Sequence, residues 1–366
     1  MPAVPPSAAD EAFQSSILQG VSRTFALTIP VLPSDLERAV GNAYLLCRIA
    51  DTIEDDAGLG VEDKRRYSDW FNALVREQSA DDTAFGKELA PRLAPHATPA
   101  ERDLVDNTDR VLRITHSLDA PQRAALARCV QVMSDGMVYY QGQETLDGLE
   151  DQAAMDRYCY YVAGVVGEML TELFLLRCPG LAARRREMLL LGVSFGQGLQ
   201  MTNILKDIWE DRSRGACWLP RPGFERRGLR LRELTAGQGG AAFAEALREL
   251  VAVAHGHLRN ALDYTLQLPP AETGMRKFCL WALGMAVLTL RRIASHPEFS
   301  GGQAAKISRR SVKATIALTT LAARHDWALR GLFAAAATGL PLTRIAPSAP
   351  RFIEGMESRH QLGAPR

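Results

Sequence analysis

The chain has 366 residues, 47% of them hydrophobic, with 43 basic and 42 acidic side chains and a net charge of +1. That is ample for a core and leaves no positive excess of the kind nucleic-acid binding needs, so no nucleic acid is expected as a partner. Six cysteines, at 47, 129, 159, 178, 217 and 279, form no CxxC pair, and no histidine stands at zinc-finger spacing; most sit in apolar helical surroundings, as reduced core thiols of a cytosolic protein do.

Residues 1–9 are Pro/Ala-rich, a flexible N-terminus is expected over 1–12, and no basic stretch followed by an apolar run marks a signal peptide. A short helix is predicted over 13–20, and Pro30 and Pro33 close the segment after it. Ser34, with Glu37 at capping-box spacing, is read as the N-cap of the next helix. Its apolar positions, including Leu36, Val40, Ala43, Tyr44 and Cys47, recur every three or four residues, and Gly58 is its stop signal. Further helices are predicted over 63–78, 101–117, 121–149, 151–177, 186–211, 240–268, 274–295 and 311–337. Loops are predicted over 79–100 and 212–238, and a disordered tail over 346–366. With no sustained strand alternation, no long repeat and no dividing linker, the chain reads as one all-α domain over 13–345, a helical bundle. No uncharged run reaches 18 residues; 278–290 is expected to be a buried core helix, and the apolar stretch 327–341 to pack into the core rather than meet a membrane.

Two acidic clusters stand out. Asp51 and Asp55 are four residues apart, on one face of a helix end that Glu54 and Asp56 also crowd. The spacing excludes an EF-hand loop, which needs alternating acids around a central glycine. Arg48, one turn back, offers the plain alternative of a salt bridge. About 150 residues later, positions 192, 196, 200, 203, 207 and 211 fall on one helical face and hold Gly192, Gly196, Gln200, Asn203, Asp207 and Asp211. Carboxylates a turn apart repel each other at the helix end that disfavours acids. A solvated acidic face would not explain the glycines, which cost roughly 1 kcal/mol each in a helix interior. A smooth face ending in acids suggests an apolar channel with a metal-binding mouth. Ala163, Gly164 and Gly167 beside Tyr158, Tyr160 and Tyr161 give a second smooth face, suited to close helix packing or to a ligand.

Other patterns are weaker. Gly192-Val-Ser194-Phe-Gly196 matches the nucleophile-elbow spelling, but lies inside a helical run rather than at a strand-to-helix turn. Gly196-Gln-Gly198 does not complete a dinucleotide fingerprint. Oxygen ligands at helical spacing suit Mg²⁺, which keeps several waters and leans on substrate phosphates. Two such clusters and an apolar channel describe a site for a prenyl diphosphate, whose ionisation Mg²⁺ would assist and whose carbocation tyrosine faces would stabilise.

Four segments in order give this pattern a family likeness. They are Ser22-Arg23-Thr-Phe25, Tyr44-Leu-Leu-Cys-Arg48-Ile-Ala-Asp51-Thr-Ile-Glu54-Asp55-Asp56, Tyr158-Cys-Tyr-Tyr161-Val-Ala-Gly164-Val-Val-Gly167 and Gln200-Met-Thr-Asn203-Ile-Leu-Lys206-Asp207-Ile-Trp-Glu-Asp211. Together the chain resembles the squalene/phytoene synthase family over roughly residues 13–330. Arg276-Lys-Phe278-Cys279 and Lys306-Ile-Ser308-Arg309-Arg310 are more similar to its squalene-forming branch. Ser308 departs from the KIRK wording common in animal members, which shifts a basic contact by one place; Lys206 replaces a common Arg and loses its bidentate fork.

The resemblance implies an isoprenoid-synthase bundle that joins two farnesyl diphosphates into presqualene diphosphate and reduces it with NADPH. It implies Asp51, Glu54 and Asp55 as Mg²⁺ ligands on one side and Asn203, Asp207 and Asp211 on the other. Arg23, Arg48 and Lys206 would contact diphosphate or NADPH phosphate, with Lys306 and Arg309 serving the cofactor. Tyr44 and Gln200 would line the reacting centre, and Tyr158 would take the proton as the cyclopropane closes. Nothing like the eukaryotic C-terminal anchor follows residue 346, which fits a bacterial-type enzyme that is soluble in the cytoplasm or peripheral on the inner face of the membrane, where product could be released; a monomer is expected. Phytoene, dehydrosqualene or hydroxysqualene as product, and a non-catalytic prenyl-binding relative, stay open.

Overall fold

The computed structural model describes residues 6–22, 24–79, 82–95, 97–141, 145–238 and 240–356. Among these every regular element is helical, apart from one isolated bridge between Leu149 and Pro220. The chain separates into two compact units, Met1–Gly142 with Glu172–Pro179, and Gln143–Thr171 with Gly180–Arg366.

The first unit is built on the Ser34–Asp55 helix, whose Leu36, Ala39, Leu45, Leu46, Ile49 and Ile53 are at most 1% exposed. Pro33, not Ser34, is its N-cap: proline's fixed backbone starts the helix, and its carbonyl accepts the Glu37 N–H at 2.7 Å. At the other end Asp56 leaves helical geometry and turns inward, where its carboxylate accepts the Gly58 and Ala94 N–H groups. The first helix is longer than predicted, Ala8–Val21, because Ser7 and Asp10 form a full capping box. The stretch predicted as a loop over 79–100 contains the Asp82–Leu89 helix, anchored by buried Phe85 and Leu89. Asp10 is itself buried and held by Arg110 and Arg113, at 3.1 and 2.9 Å. These guanidiniums hold its carboxyl well below the usual range.

In the second unit the Arg185–Lys206 helix packs on Gly240–Gln267 and Thr273–Ser295. The predicted core helix is borne out: Leu280, Leu283 and Leu290 are buried. Two helical stretches, Gln152–Arg177 and Thr273–Ser295, are long and apolar enough to cross a membrane, but their most apolar windows are 61% and 56% buried within the protein. The glycines do not line a void. A Cβ on Gly167 would stand 2.0 Å from the Gly192 carbonyl oxygen, and one on Gly196 would stand 2.1 Å from that of Ala163. The smooth faces therefore serve backbone-to-backbone packing rather than the channel wall expected from them.

The predicted 311–337 helix is two, Arg309–Ala322 and Asp326–Ala336. Leu329 is buried but Trp327 is 78% exposed, so this stretch packs into the core only in part. Beyond it the chain runs beside the Gly240–Gln267 helix. Thr343 N–H donates to the Ala252 carbonyl at 3.0 Å, and Asn260 Nδ2 donates to the Ile345 carbonyl at 3.1 Å. Gly256 is required here, because a Cβ would lie 2.1 Å from the Thr343 oxygen.

Candidate functional site

The first acidic cluster sits on the last turn of the Ser34–Asp55 helix, with Asp51 and Glu54 half-buried and Asp55 exposed. Burial, then the neighbouring Asp55 charge, pushes Asp51 up to about 7. The same causes push Glu54 up to about 9. Compensation is thin. Arg48 stands 3.9 Å from Asp51 but bonds closely to Glu101, and Lys64 donates to the Glu54 backbone carbonyl rather than to its carboxylate. Glu101 is a partner the sequence reading missed, although its capping box with Thr98 is spelled in the sequence. Asp56, drawn into its own turn, leaves the cluster. Tyr44, one helical turn before Arg48, packs on Phe25 with ring centroids 5.1 Å apart and donates to the Val21 carbonyl at 3.1 Å. Arg23 lies outside the described residues.

The second cluster is built differently. The helix expected over 186–211 breaks at Asp207, whose backbone (φ −102, ψ 18) separates Arg185–Lys206 from Ile208–Ser213. Asp207 carries its own cation, with Lys206 Nζ 3.0 Å away and also 3.5 Å from Asn203 Oδ1. Asn203 is exposed, and Gln200, Asp207 and Asp211 are half-buried. A segment remote in sequence reaches this break. Trp209 Nε1 donates to the Phe299 carbonyl at 2.7 Å, and Gly302 N–H donates to Glu210 Oε1 at 2.6 Å. A Cβ on Gly302 would stand 2.7 Å from Asp207 Oδ1, so a larger residue here would make the Asp207 carboxylate turn aside. Lys306, exposed, follows four residues on. Ser308 is the N-cap of the Arg309–Ala322 helix, its Oγ accepting the Ser311 N–H at 3.1 Å. That role accounts physically for a serine where a basic residue was expected, and Arg309 opens the helix exposed to solvent.

The tyrosine-rich segment is a π-helix over Tyr160–Gly164, between α-helical turns. Such wide turns offset side chains from the α-helical register and recur at functional sites. Tyr158 stacks face to face on Trp218 at 4.0 Å and 8°, a partner the sequence reading missed. Tyr160 and Tyr161 are fully buried. Phe352 stands edge-on to Tyr160, and the Ile353 N–H donates to the Tyr161 hydroxyl at 3.0 Å. Up to residue 356 the expected disordered tail is thus ordered against this segment. Arg276 is fully buried, holding the carbonyls of Leu266, Leu268 and Ala323 and the Asp326 carboxylate; it is a tie between chain segments, not a cofactor contact.

Among the described residues no group of three or more acids, histidines or cysteines is set to hold a metal ion on its own. The donors nevertheless fit Mg²⁺: they are all oxygen, and the first cluster has only Arg48, itself bonded to Glu101, to offset its charge.

The squalene/phytoene synthase family model matches residues 18–311, and the chain belongs to that family. It is 31% identical over 279 residues to the squalene synthase of Eremothecium gossypii, covering 75% of this chain and 60% of that protein. It is 28% identical over 281 residues to squalene synthase 1 of Arabidopsis thaliana, covering 76% of this chain and 64% of that one. The chain thus spans less than two thirds of these curated relatives. The structure of TcSQS with the ligand E5700 superposes with a TM-score of 0.73 at 27% identity, over 89% of this chain and 91% of that one. A dehydrosqualene synthase at 20% identity and TM-score 0.59, over 84% and 94% of the two chains, shares the fold.

Proposed function

We propose that the protein condenses two farnesyl diphosphates head to head into presqualene diphosphate and reduces this with NADPH to squalene, an isoprenoid precursor. The observation that carries this is the carboxylate cluster Asp51, Glu54 and Asp55 on one helical turn, whose burial and mutual repulsion favour the protonated acids over the charged ones when no cation is bound. Its position within four family motifs in order supports the substrate class. In this proposal Asp51, Glu54 and Asp55 hold Mg²⁺ at one diphosphate, and Asn203, Asp207 and Asp211 hold it at the other. Mg²⁺ held there would supply Lewis-acid neutralisation of the charge on a leaving diphosphate.

Lys206 shifts between Asp207 and substrate phosphate, and Arg48 exchanges Glu101 for diphosphate, with Arg23 assisting. Tyr44 and Gln200 line the reacting carbons. Tyr158, fixed in orientation by Trp218, accepts the proton lost as the cyclopropane closes. Lys306 and Arg309 meet the NADPH phosphates. Residues 13–345 act as one catalytic domain of a cytoplasmic monomer that touches the inner face of the membrane when product leaves.

The test is to supply purified protein with farnesyl diphosphate and Mg²⁺, with and without NADPH, and to read products by mass spectrometry. Presqualene diphosphate without reductant and squalene with it are the expected results. A dehydrogenated or hydroxylated C30 product despite NADPH would overturn the second step. No consumption of C15 or C20 diphosphate would overturn the enzymatic assignment.

A further inference from the structure

The Arg309–Ala322 and Asp326–Ala336 helices bury little of themselves, chiefly Ala322 and Leu329. Arg310, Lys313, Ala314, Ala317, Leu318 and Leu321 fall on one exposed helical face. It is basic at its N-terminal end and apolar at its C-terminal end. Leu318 is 50% exposed and Leu321 80%, and Trp327, in the first turn of the next helix, is 78% exposed. Large apolar side chains exposed to water on two consecutive helices mark an interaction surface.

The charge along this part of the chain is one-sided. Between Gly301 and Ile353 there are eight Lys or Arg residues and a single acid, Asp326, in a chain whose net charge is only +1; of the eight, Arg330 pairs with Asp263 at 3.5 Å. Asp326 is engaged by the buried Arg276 at 2.7 Å. Among the described residues no ion pair occupies Arg310, Lys313 or Arg324.

We propose that this face docks on a lipid bilayer carrying anionic headgroups. Leucines that enter the acyl boundary, a tryptophan suited to the headgroup level and a basic rim are what an interfacial helix needs. A second copy of the chain fits poorly, since a two-fold contact through this face would bring Arg310, Lys313 and Arg324 of both copies into one interface with no acid between them. Nucleic acid fits poorly because Leu318, Leu321 and Trp327 would stand between it and the cations. The face supplies a specific surface for the membrane contact proposed above, yet rests on its own side chains and not on the reaction assigned to the site.

The experiment is flotation of the full chain, without substrate or Mg²⁺, on vesicles of phosphatidylcholine alone or with phosphatidylglycerol. Binding is expected only with phosphatidylglycerol and is expected to fall as salt rises. Leu321→Ser and Trp327→Ser are each expected to lower partitioning about tenfold, from the apolar area lost. Lys313→Gln and Arg324→Gln are each expected to lower it about fivefold. Unchanged melting temperatures would show that the substitutions act at the surface, and unchanged consumption of soluble farnesyl diphosphate would separate docking from chemistry. No flotation on the anionic vesicles, or equal flotation of all variants, would overturn the proposal. So would a wild-type dimer that Leu321→Ser dissolves, which would make the face a contact between copies.

Discussion

Each acidic motif contains two aspartates four residues apart, Asp51 with Asp55 and Asp207 with Asp211, and yet the two meet different electrostatic conditions. Asp51, Glu54 and Asp55 close an unbroken helix in the first unit, and burial and mutual repulsion raise Asp51 and Glu54 toward neutrality. Asp207, in the second unit, sits at a helix break with Lys206 3.0 Å away and water within reach. The first motif resists full ionisation, whereas the second carries part of its compensation with it. A shared pattern therefore does not imply a shared energy.

If both motifs act on leaving diphosphates, Asp55→Asn and Asp207→Asn are each expected to lower diphosphate release about 10³-fold, or about 4 kcal/mol of transition-state stabilisation. Removing Mg²⁺ with a chelator is expected to stop release altogether. Near-normal turnover in one variant would take that motif out of the chemistry and break the parallel. Tyr158→Phe tests the proton acceptor: cyclopropane formation should fall steeply while the circular dichroism spectrum stays that of the wild type.

Acid should separate the two units next. In the second, Asn260 Nδ2 donates to Ser194 Oγ, which lies 2.8 Å from His257 Nδ1, and burial lowers His257 from 6.5 to about 4. The unfolded chain binds a proton below about pH 6.5 that the folded one refuses. Stability is thus complete above that value and falls by about 1.4 kcal/mol per pH unit down to about 4. Asp10, in the first unit, is depressed instead, so its contribution is present above the ordinary carboxylate range and is lost only as pH drops through and below it. Peptide-resolved hydrogen exchange, corrected for intrinsic rates, should show peptides around His257 and Ile345 opening at higher pH than those around Asp10. His257→Gln should remove the upper window. Earlier opening around Asp10 would contradict this order.

Sequence periodicity located the helices because their buried faces repeat: Leu36, Ala39, Val40 and Ala43 are buried as the spacing requires. The acids, Lys206 and the tyrosines were visible as residue types at helical spacing. What escaped was decided by partners far along the chain. Nothing local to Tyr158 announces Trp218, and nothing near Asp207 announces Gly302. Gly192 and Gly196 looked like the wall of a void because sequence does not say what lies opposite a glycine; here it is the backbone at Gly167 and Ala163. The tail was read as disordered from its Pro, Ser and Gly content, yet Phe352 and Ile353 find an apolar seat on Tyr160 and Tyr161 that composition cannot reveal. Ser34 was read as a cap by its type, where Pro33 does the work through its backbone.

The smallest expected effects test the difference between the motifs most directly. In protein free of Mg²⁺, Asp51→Asn removes a charge that its surroundings oppose, and thermal unfolding should shift upward by roughly 1 kcal/mol, the scale of a like-charge contact near a surface. Asp207→Asn removes a charge that Lys206 partly satisfies, with the two side chains 25% and 36% exposed, so a loss of roughly 0.5 kcal/mol is expected. Opposite signs are the result the geometry requires. Added Mg²⁺ should then raise the melting temperature of the wild type more than that of Asp51→Asn, because a ligand stabilises only the state that binds it. A loss in both variants would mean that Arg48, although bonded to Glu101, already neutralises the first cluster. Its proposed hunger for a dication would then lose its electrostatic basis.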